Sequence, residues 1–329
     1  MKRHANLAFF VPHLGCPHNC LFCDQRSISG ETVPVTPEDV RRLCSDSLPP
    51  EGEGGNAEIA FFGGSFTAID RSVMISLLEA AYPFVQSGRA SGIRCSTRPD
   101  AIDGEILDIL ERYGVRSIEL GAQSMDDRVL RLNLRGHGSA EIISASKLIK
   151  ERGFSLGLQM MEGMYGDSDP HAGAVATARG FIALKPDTVR IYPTLVVDGT
   201  PLAALYRTGR YLPLTVEQAV EITAELLTMF RDEGINVIRT GLHYESSLER
   251  TVLAGPFHPA FGELCESRVY LEQMKSLTEG MDEAVIYCEQ RILSQVLGQK
   301  RSNIEQLRRM GRDVKVVPDA GIKGIRLGR

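Results

Sequence analysis

The 329-residue chain contains no tryptophan, and aromatic residues make up only 6 % of it. With so few rings, an aromatic platform for stacking nucleic-acid bases is not evident. No run of eighteen apolar residues exists, and Met1-Lys2-Arg3-His4 leads into a β-rich segment rather than a signal sequence. No membrane span is therefore expected, and a cytoplasmic location is. A disulfide framework is missing too: the seven cysteines are odd in number, three clustered and four scattered. The 43 % hydrophobic and 24 % charged residues suffice for a full core, in one large domain or one with an appendage. The net charge of −5 is unevenly spread, because residues 300–329 hold nine Lys/Arg against three Asp/Glu. A basic end on an acidic body can meet phosphates, or can be a solvated basic helix face.

The chemistry-bearing stretch is Gly15-Cys16-Pro17-His18-Asn19-Cys20-Leu21-Phe22-Cys23-Asp24. Cys16, Cys20 and Cys23 lie within eight residues, directly after an apolar run at 7–11. A closed structural zinc site takes four protein ligands, whereas three thiolates leave a position open. An iron-sulfur cube held by three cysteines has one iron free for a small molecule, the arrangement that reductively cleaves S-adenosylmethionine (SAM). Zinc with His13 or His18 as fourth ligand and unligated thiols are the alternatives.

Apolar or β-rich runs at 7–11, 58–63, 92–97, 115–122, 154–161 and 188–192 alternate with helix-like stretches at 37–48, 71–85, 103–113, 140–152 and 170–184. Thr36-Pro37 and Asp103-Gly104-Glu105 signal helix starts, and Gly114 and Gly153 signal stops. Strand then helix, repeated over short connections, predicts a parallel sheet in an α/β fold, a partial (β/α)6 TIM-like barrel. A helix at 215–233 and a strand at 235–239 would extend it.

Strands buried on both faces read as continuous apolar runs, yet several here alternate. Arg94, Ser96 and Arg98 share one parity, as do Glu119, Gly121 and Gln123, then Ser155, Gly157 and Gln159, then Arg190 and Tyr192. The opposite parities hold Ile93, Ile118, Leu120, Leu156, Leu158, Val189 and Ile191. Four consecutive strands with one polar face predict a ligand-bearing lumen, whose chemistry belongs at the carboxyl ends of the strands.

Beyond residue 243 the rhythm breaks at 255–259. A helix at 261–277, a strand at 283–288, a short segment at 294–297, a helix at 302–310 and a strand at 313–317 predict a small α+β extension over 244–329. His258 and Cys265 invite a second metal site, but buried cysteine is commonly a small hydrophobe, and Cys44 and Cys95 read the same way. His137 suits positional hydrogen bonding, Asp167 and Asp169 suit helix N-capping, and Tyr192 and Tyr211 are candidates for radical or positioning work.

Phe22 stands inside the cysteine loop, immediately before Cys23, and Phe62-Gly63-Gly64-Ser65-Phe66, Thr97-Arg98-Pro99-Asp100, Glu119-Leu120-Gly121-Ala122-Gln123-Ser124, Arg135-Gly136-His137, Met160-Met161 and Tyr192-Pro193-Thr194-Leu195-Val196 with Gly199-Thr200 follow that loop in order. Over residues 12–239 this series resembles the radical-SAM domain of the Elongator catalytic subunit, which modifies wobble uridine in tRNA. The resemblance implies a [4Fe-4S] cluster on Cys16, Cys20 and Cys23 and SAM as second cofactor. It places Phe22 near the adenine and the turn Gly63, Gly64 and Ser65 at the methionine amino group. Gln123 and Gln159 would face the nucleoside and Arg135 the carboxylate. It further implies tRNA or other RNA as substrate and an electron donor such as flavodoxin or ferredoxin.

The departures are specific. The gap between Cys16 and Cys20 is shorter than in the Elongator subunit, and Ser96 stands where that subunit has a glutamate to the ribose. Residues 244–329 are too few for its acetyltransferase domain. Oxygen-independent coproporphyrinogen dehydrogenase relatives are a rival, but carry a further cysteine where this chain has Gln25. A non-enzymatic metal- or RNA-binding protein is the other.

Overall fold

The computed structural model describes residues 5–11, 20–23, 34–63, 65–242 and 246–328. Seven strands form one sheet in the order β1-β2-β3-β4-β5-β6-β8, every neighbouring pair parallel. They are β1 (Ala5–Phe10), β2 (Ala57–Phe62), β3 (Gly92–Thr97), β4 (Val115–Gln123), β5 (Ser155–Glu162), β6 (Thr188–Pro193) and, after the short β7 (Val196–Val197), β8 (Asn236–Thr240). The guanidinium of Arg190 on β6 sits 5.1 Å from the ring centroid of Phe62 on β2. Three strands separate them in the sheet, so the sheet must curl; it is an open half-barrel, as the alternation of strand and helix predicted.

Local chemistry sets the helix ends. Thr36 caps the helix Pro37–Ser47 reciprocally: its hydroxyl accepts from the Asp39 N–H at 3.2 Å while the Asp39 carboxylate accepts from the Thr36 N–H at 3.1 Å. Asp103 caps Gly104–Arg112 by accepting from the Ile106 N–H at 2.8 Å. Gly114, at φ +73°, turns the chain from that helix into β4. Asp169 caps Pro170–Leu184 through the Ala172 N–H at 3.1 Å. Asp167 does not share that role. It accepts from the Asp169 N–H at 3.2 Å, and burial raises its carboxyl above the ordinary value.

The apolar strand parity packs outward against the helices: Ile59, Phe61, Ile93, Cys95, Ile118, Leu120, Leu156, Leu158, Val189 and Ile191 are all buried in one core. Cys44 and Cys95 belong to it, and burial pushes both thiols up to about 12.

The C-terminal part adds β9 (Val252–Ala254), which pairs antiparallel with β7, and a three-stranded sheet in the order β11-β10-β12. These are β10 (Glu283–Cys288), β11 (Asp313–Pro318) and β12 (Ile325–Leu327). A separate core of Leu271, Met274, Ile286, Cys288, Val296, Leu307 and Val314 lies beneath that sheet. The helix Phe261–Leu277 also packs on the helix Val216–Asp232, Phe261, Cys265 and Val269 meeting Ala219, Ala224 and Leu227. Cys265 is thus a buried hydrophobe, and His258 Nδ1 accepts from the Ala260 N–H at 3.1 Å. β7, β9, β12 and the helices Asp127–Leu132 and Pro201–Arg207 were not anticipated, being too short for a periodic signal. Among the described residues no helix is long and apolar enough to cross a membrane.

Candidate active site at the carboxyl pole of the sheet

The thiol-bearing turn is closed on itself by one backbone bond and moored at the carboxyl pole by two others. The Cys23 N–H donates to the Cys20 carbonyl at 3.1 Å, the Leu21 N–H to the Asn133 carbonyl at 3.3 Å, and the Leu202 N–H to the Leu21 carbonyl at 2.9 Å. Cys20 is buried and Cys23 half-buried. Cys16 and Gly64, like His13, His18 and Gln25, lie outside the described residues. Phe22 is half-buried against Val196, Leu202, Ala203 and Tyr211.

Arg135 reaches this turn from the loop after Asp127–Leu132. Its Nη1 donates to Cys20 Sγ at 3.1 Å and its Nη2 to the Gly121 carbonyl at 2.5 Å. Arg98, itself 2 % exposed, donates to the Arg135 carbonyl and grips Asp100 with two bonds of 2.9 and 3.0 Å. His137 is buried 3.6 Å from Asp100. Burial, then the Arg135 charge, pull its imidazole down to about 4 against the opposing pull of Asp100, so it is neutral near pH 7.

Gly63 ends β2 at φ +96°, and a Cβ there would stand 3.1 Å from the Val11 carbonyl oxygen. Only glycine lets the two backbones approach so closely. The Ser65 hydroxyl is 2.9 Å from that of Thr97 and accepts from the Arg98 N–H at 3.3 Å. It ties the turn to β3. Gln123 holds φ +72°, unusual for a residue with a side chain, and its Oε1 accepts from Gln159 Nε2 at 3.2 Å. Cys20, Gly63, Gln123, Arg135 and Gln159 therefore all belong to the pole where the strands end.

Deeper in the lumen the polar parity is a set of charges. Arg94 Nε meets Glu58 Oε2 at 3.1 Å and Arg190 Nε meets Glu119 Oε2 at 2.7 Å. Ser117 donates to Glu58 at 3.0 Å and Ser96 to Glu119 at 3.4 Å. The Ser96 hydroxyl thus points to a lumen carboxylate. Both carboxylates are engaged, which leaves the half-buried Arg239 on β8 with no carboxylate partner among the described residues; its Nε donates to the Gly241 carbonyl at 3.2 Å. The Tyr192 hydroxyl accepts from Arg190 Nη1 at 3.3 Å, and burial raises its pKa. Tyr211 packs with Leu21 and Phe22 of the cysteine turn and donates to the Gly163 carbonyl at 2.6 Å. Sequence reasoning found the lumen parity but not these pairings, nor the Asp100–Arg98–Arg135 brace. The Thr97-Arg98-Pro99-Asp100 stretch was the available signal.

One carboxyl faces the wrong way. Glu162, the last residue of β5, is 1 % exposed, and Thr223 Oγ1 donates to its Oε1 at 2.9 Å. Burial pushes it up to about 8, against a smaller downward pull from Thr223. Between its ordinary value of 4.5 and about 8 the folded protein holds a proton that the unfolded chain has released. Its contribution to stability is thus full below pH 4.5 and falls as pH rises to about 8, by at most about 1.4 kcal/mol per pH unit. Glu162→Gln is expected to remove that decline, matching wild type below pH 4.5 and exceeding it at pH 8 in urea denaturation.

Two family descriptions match the chain, "Radical SAM superfamily" over residues 10–176 and "Radical_SAM C-terminal domain" over residues 186–272. An uncharacterised protein of Methanocaldococcus jannaschii is 28 % identical over 243 residues, covering 69 % of this chain and 73 % of that protein. A tRNA uridine(34) acetyltransferase of the same organism is 30 % identical over 247 residues, covering 63 % of this chain; the chain spans only 45 % of that relative. The fold is similar to that of an archaeal Elp3 from Methanocaldococcus infernus with residues 1–46 deleted. The TM-score is 0.64 at 20 % identity, over 82 % of this chain and 63 % of that one.

Proposed function

The chain belongs to the radical SAM superfamily, and from that premise we propose that it reductively cleaves SAM at a [4Fe-4S] cluster and applies the resulting 5'-deoxyadenosyl radical to RNA, with tRNA as the leading substrate. The observation that carries this is the pair Cys20 and Cys23 within one turn at the carboxyl pole, with a guanidinium against the Cys20 sulfur. The residues fit the cofactors. Soft thiols suit iron-sulfur ligation, and Arg135 Nε is buried without a hydrogen-bond partner among the described residues, a donor awaiting an acceptor.

When bound, the cluster supplies the electron that cleaves SAM. The chain's own residues do the holding. Cys16, Cys20 and Cys23 would ligate the iron. The glycine turn at Gly63 and Gly64 with Ser65 would offer backbone to the methionine amino group, the Gln123–Gln159 pair would hold the nucleoside, and Arg135 Nε would meet the carboxylate. Arg239 offers its guanidinium to an anionic group of the substrate, which for a nucleotide is a phosphate. Lys300, Arg301, Arg309, Lys315 and Lys323 are exposed and have no carboxylate partner among the described residues, which supports RNA contact by the C-terminal part.

The test is anaerobic reconstitution, reduction, and measurement of 5'-deoxyadenosine with SAM alone and with tRNA from the native host. Cleavage that rises with tRNA is expected. A fully loaded cluster that yields no 5'-deoxyadenosine would overturn the reading.

A further inference from the structure

The sulfur of Cys20 lies against a positive charge fixed by the fold. Arg135 is 7 % exposed, and its two Nη atoms are committed to Cys20 Sγ at 3.1 Å and to the Gly121 carbonyl at 2.5 Å. The main chain beneath it is equally constrained. Leu134 sits at φ +55°, and the Arg135 carbonyl accepts from Arg98, whose own fork is closed on Asp100. A flexible surface arginine would drift among partners; this one is held from both ends.

A guanidinium N–H donated to a ligand sulfur draws electron density from that sulfur. Its charge, largely shielded from solvent, favours whichever state of the neighbouring group carries more negative charge. Cluster potentials respond to hydrogen bonds on sulfur and to local net charge. Reduction adds one electron, so a cation fixed at this sulfur makes reduction easier. We propose that Arg135 is a positioning residue of the cluster, which through its hydrogen bond to Cys20 raises the cluster's reduction potential, separately from any contact with the SAM carboxylate. This rests on the cluster reading above.

The experiment is an EPR-monitored redox titration, without SAM, of anaerobically reconstituted wild type, Arg135→Gln and Arg135→Lys, each with iron and sulfide counted. The glutamine variant keeps a donor but loses the charge. Its midpoint is expected to fall by about tenfold in the reduction equilibrium, ~59 mV for a one-electron couple. The lysine variant keeps the charge without the fork and is expected to fall by less. If the glutamine variant does not fold or load, a lower midpoint in the lysine variant carries the inference and an unchanged one overturns it. A fully loaded glutamine variant with an unchanged midpoint overturns the role of Arg135 while leaving the cluster assignment intact. A wild type that binds no iron overturns both.

Discussion

Cys20→Ser is expected to leave a folded protein that holds little iron and releases 5'-deoxyadenosine only at the level of cluster-free protein. A serine hydroxyl is a hard, protonated oxygen at neutral pH, where a cysteine offers a soft thiolate. Disturbing only the hydrogen-bond partners of a metal ligand costs about 10–100-fold in affinity or activity, so losing the ligand itself should exceed that. The fold has little at stake. The turn is closed by the backbone bond from Cys23 and moored by those of Leu21 and Leu202, none of which uses the Cys20 side chain. A serine oxygen can still accept from Arg135. The unfolding free energies of the two proteins, both cluster-free, should therefore differ by no more than the ~1 kcal/mol of one hydrogen bond. Iron analysis of oxygen-free protein together with a SAM-cleavage assay decides it, and iron content equal to wild type would exclude Cys20 as a ligand.

Glu119→Ala is expected to be strongly destabilising. It removes the carboxylate 2.7 Å from Arg190 and the acceptor of the Ser96 hydroxyl, with side chains only 6 % and 16 % exposed. Arg190 would keep the Tyr192 hydroxyl and the face of Phe62, neither of which carries a compensating charge. Breaking a buried pair from one side costs about 3–5 kcal/mol, whereas replacing both partners with apolar residues is often neutral. The double variant Glu119→Met, Arg190→Met should accordingly recover most of the loss. Denaturant midpoints at constant slope measure both. A single-variant loss below ~1 kcal/mol would mean that water reaches the pair and screens it.

The two substitutions probe levels of structure that differ in how visible they were beforehand. Cys20 announced itself through spacing, since three thiols within eight residues are a local fact. Glu119 and Arg190 showed the parity of a lumen, but their partnership spans two strands that are not neighbours in the sheet, with β5 between them. Phe62 meeting Arg190 across the lumen is likewise a product of curl, which no window of sequence contains. Ser65 and Ser96 illustrate the converse: Ser65 stands where the motif expects it and Ser96 where the motif has a glutamate, yet no local pattern showed that their hydroxyls meet Thr97 and Glu119. Asp167 and Asp169 looked equivalent as caps, and only Asp169 reaches a helix N–H, that of Ala172.

What the sequence determined by itself is therefore the parallel αβ alternation, the polar parity facing inward, and the pole at which the thiols stand. Periodicity, capping residues and ligand spacing are all set by neighbours along the chain. The tertiary structure decided which charges pair and left Arg239 without a carboxylate partner among the described residues. It also decided that Arg135, 115 residues beyond Cys20, lies against its sulfur. Those contacts depend on how far the sheet curls and where long loops close, and both are properties of the folded whole.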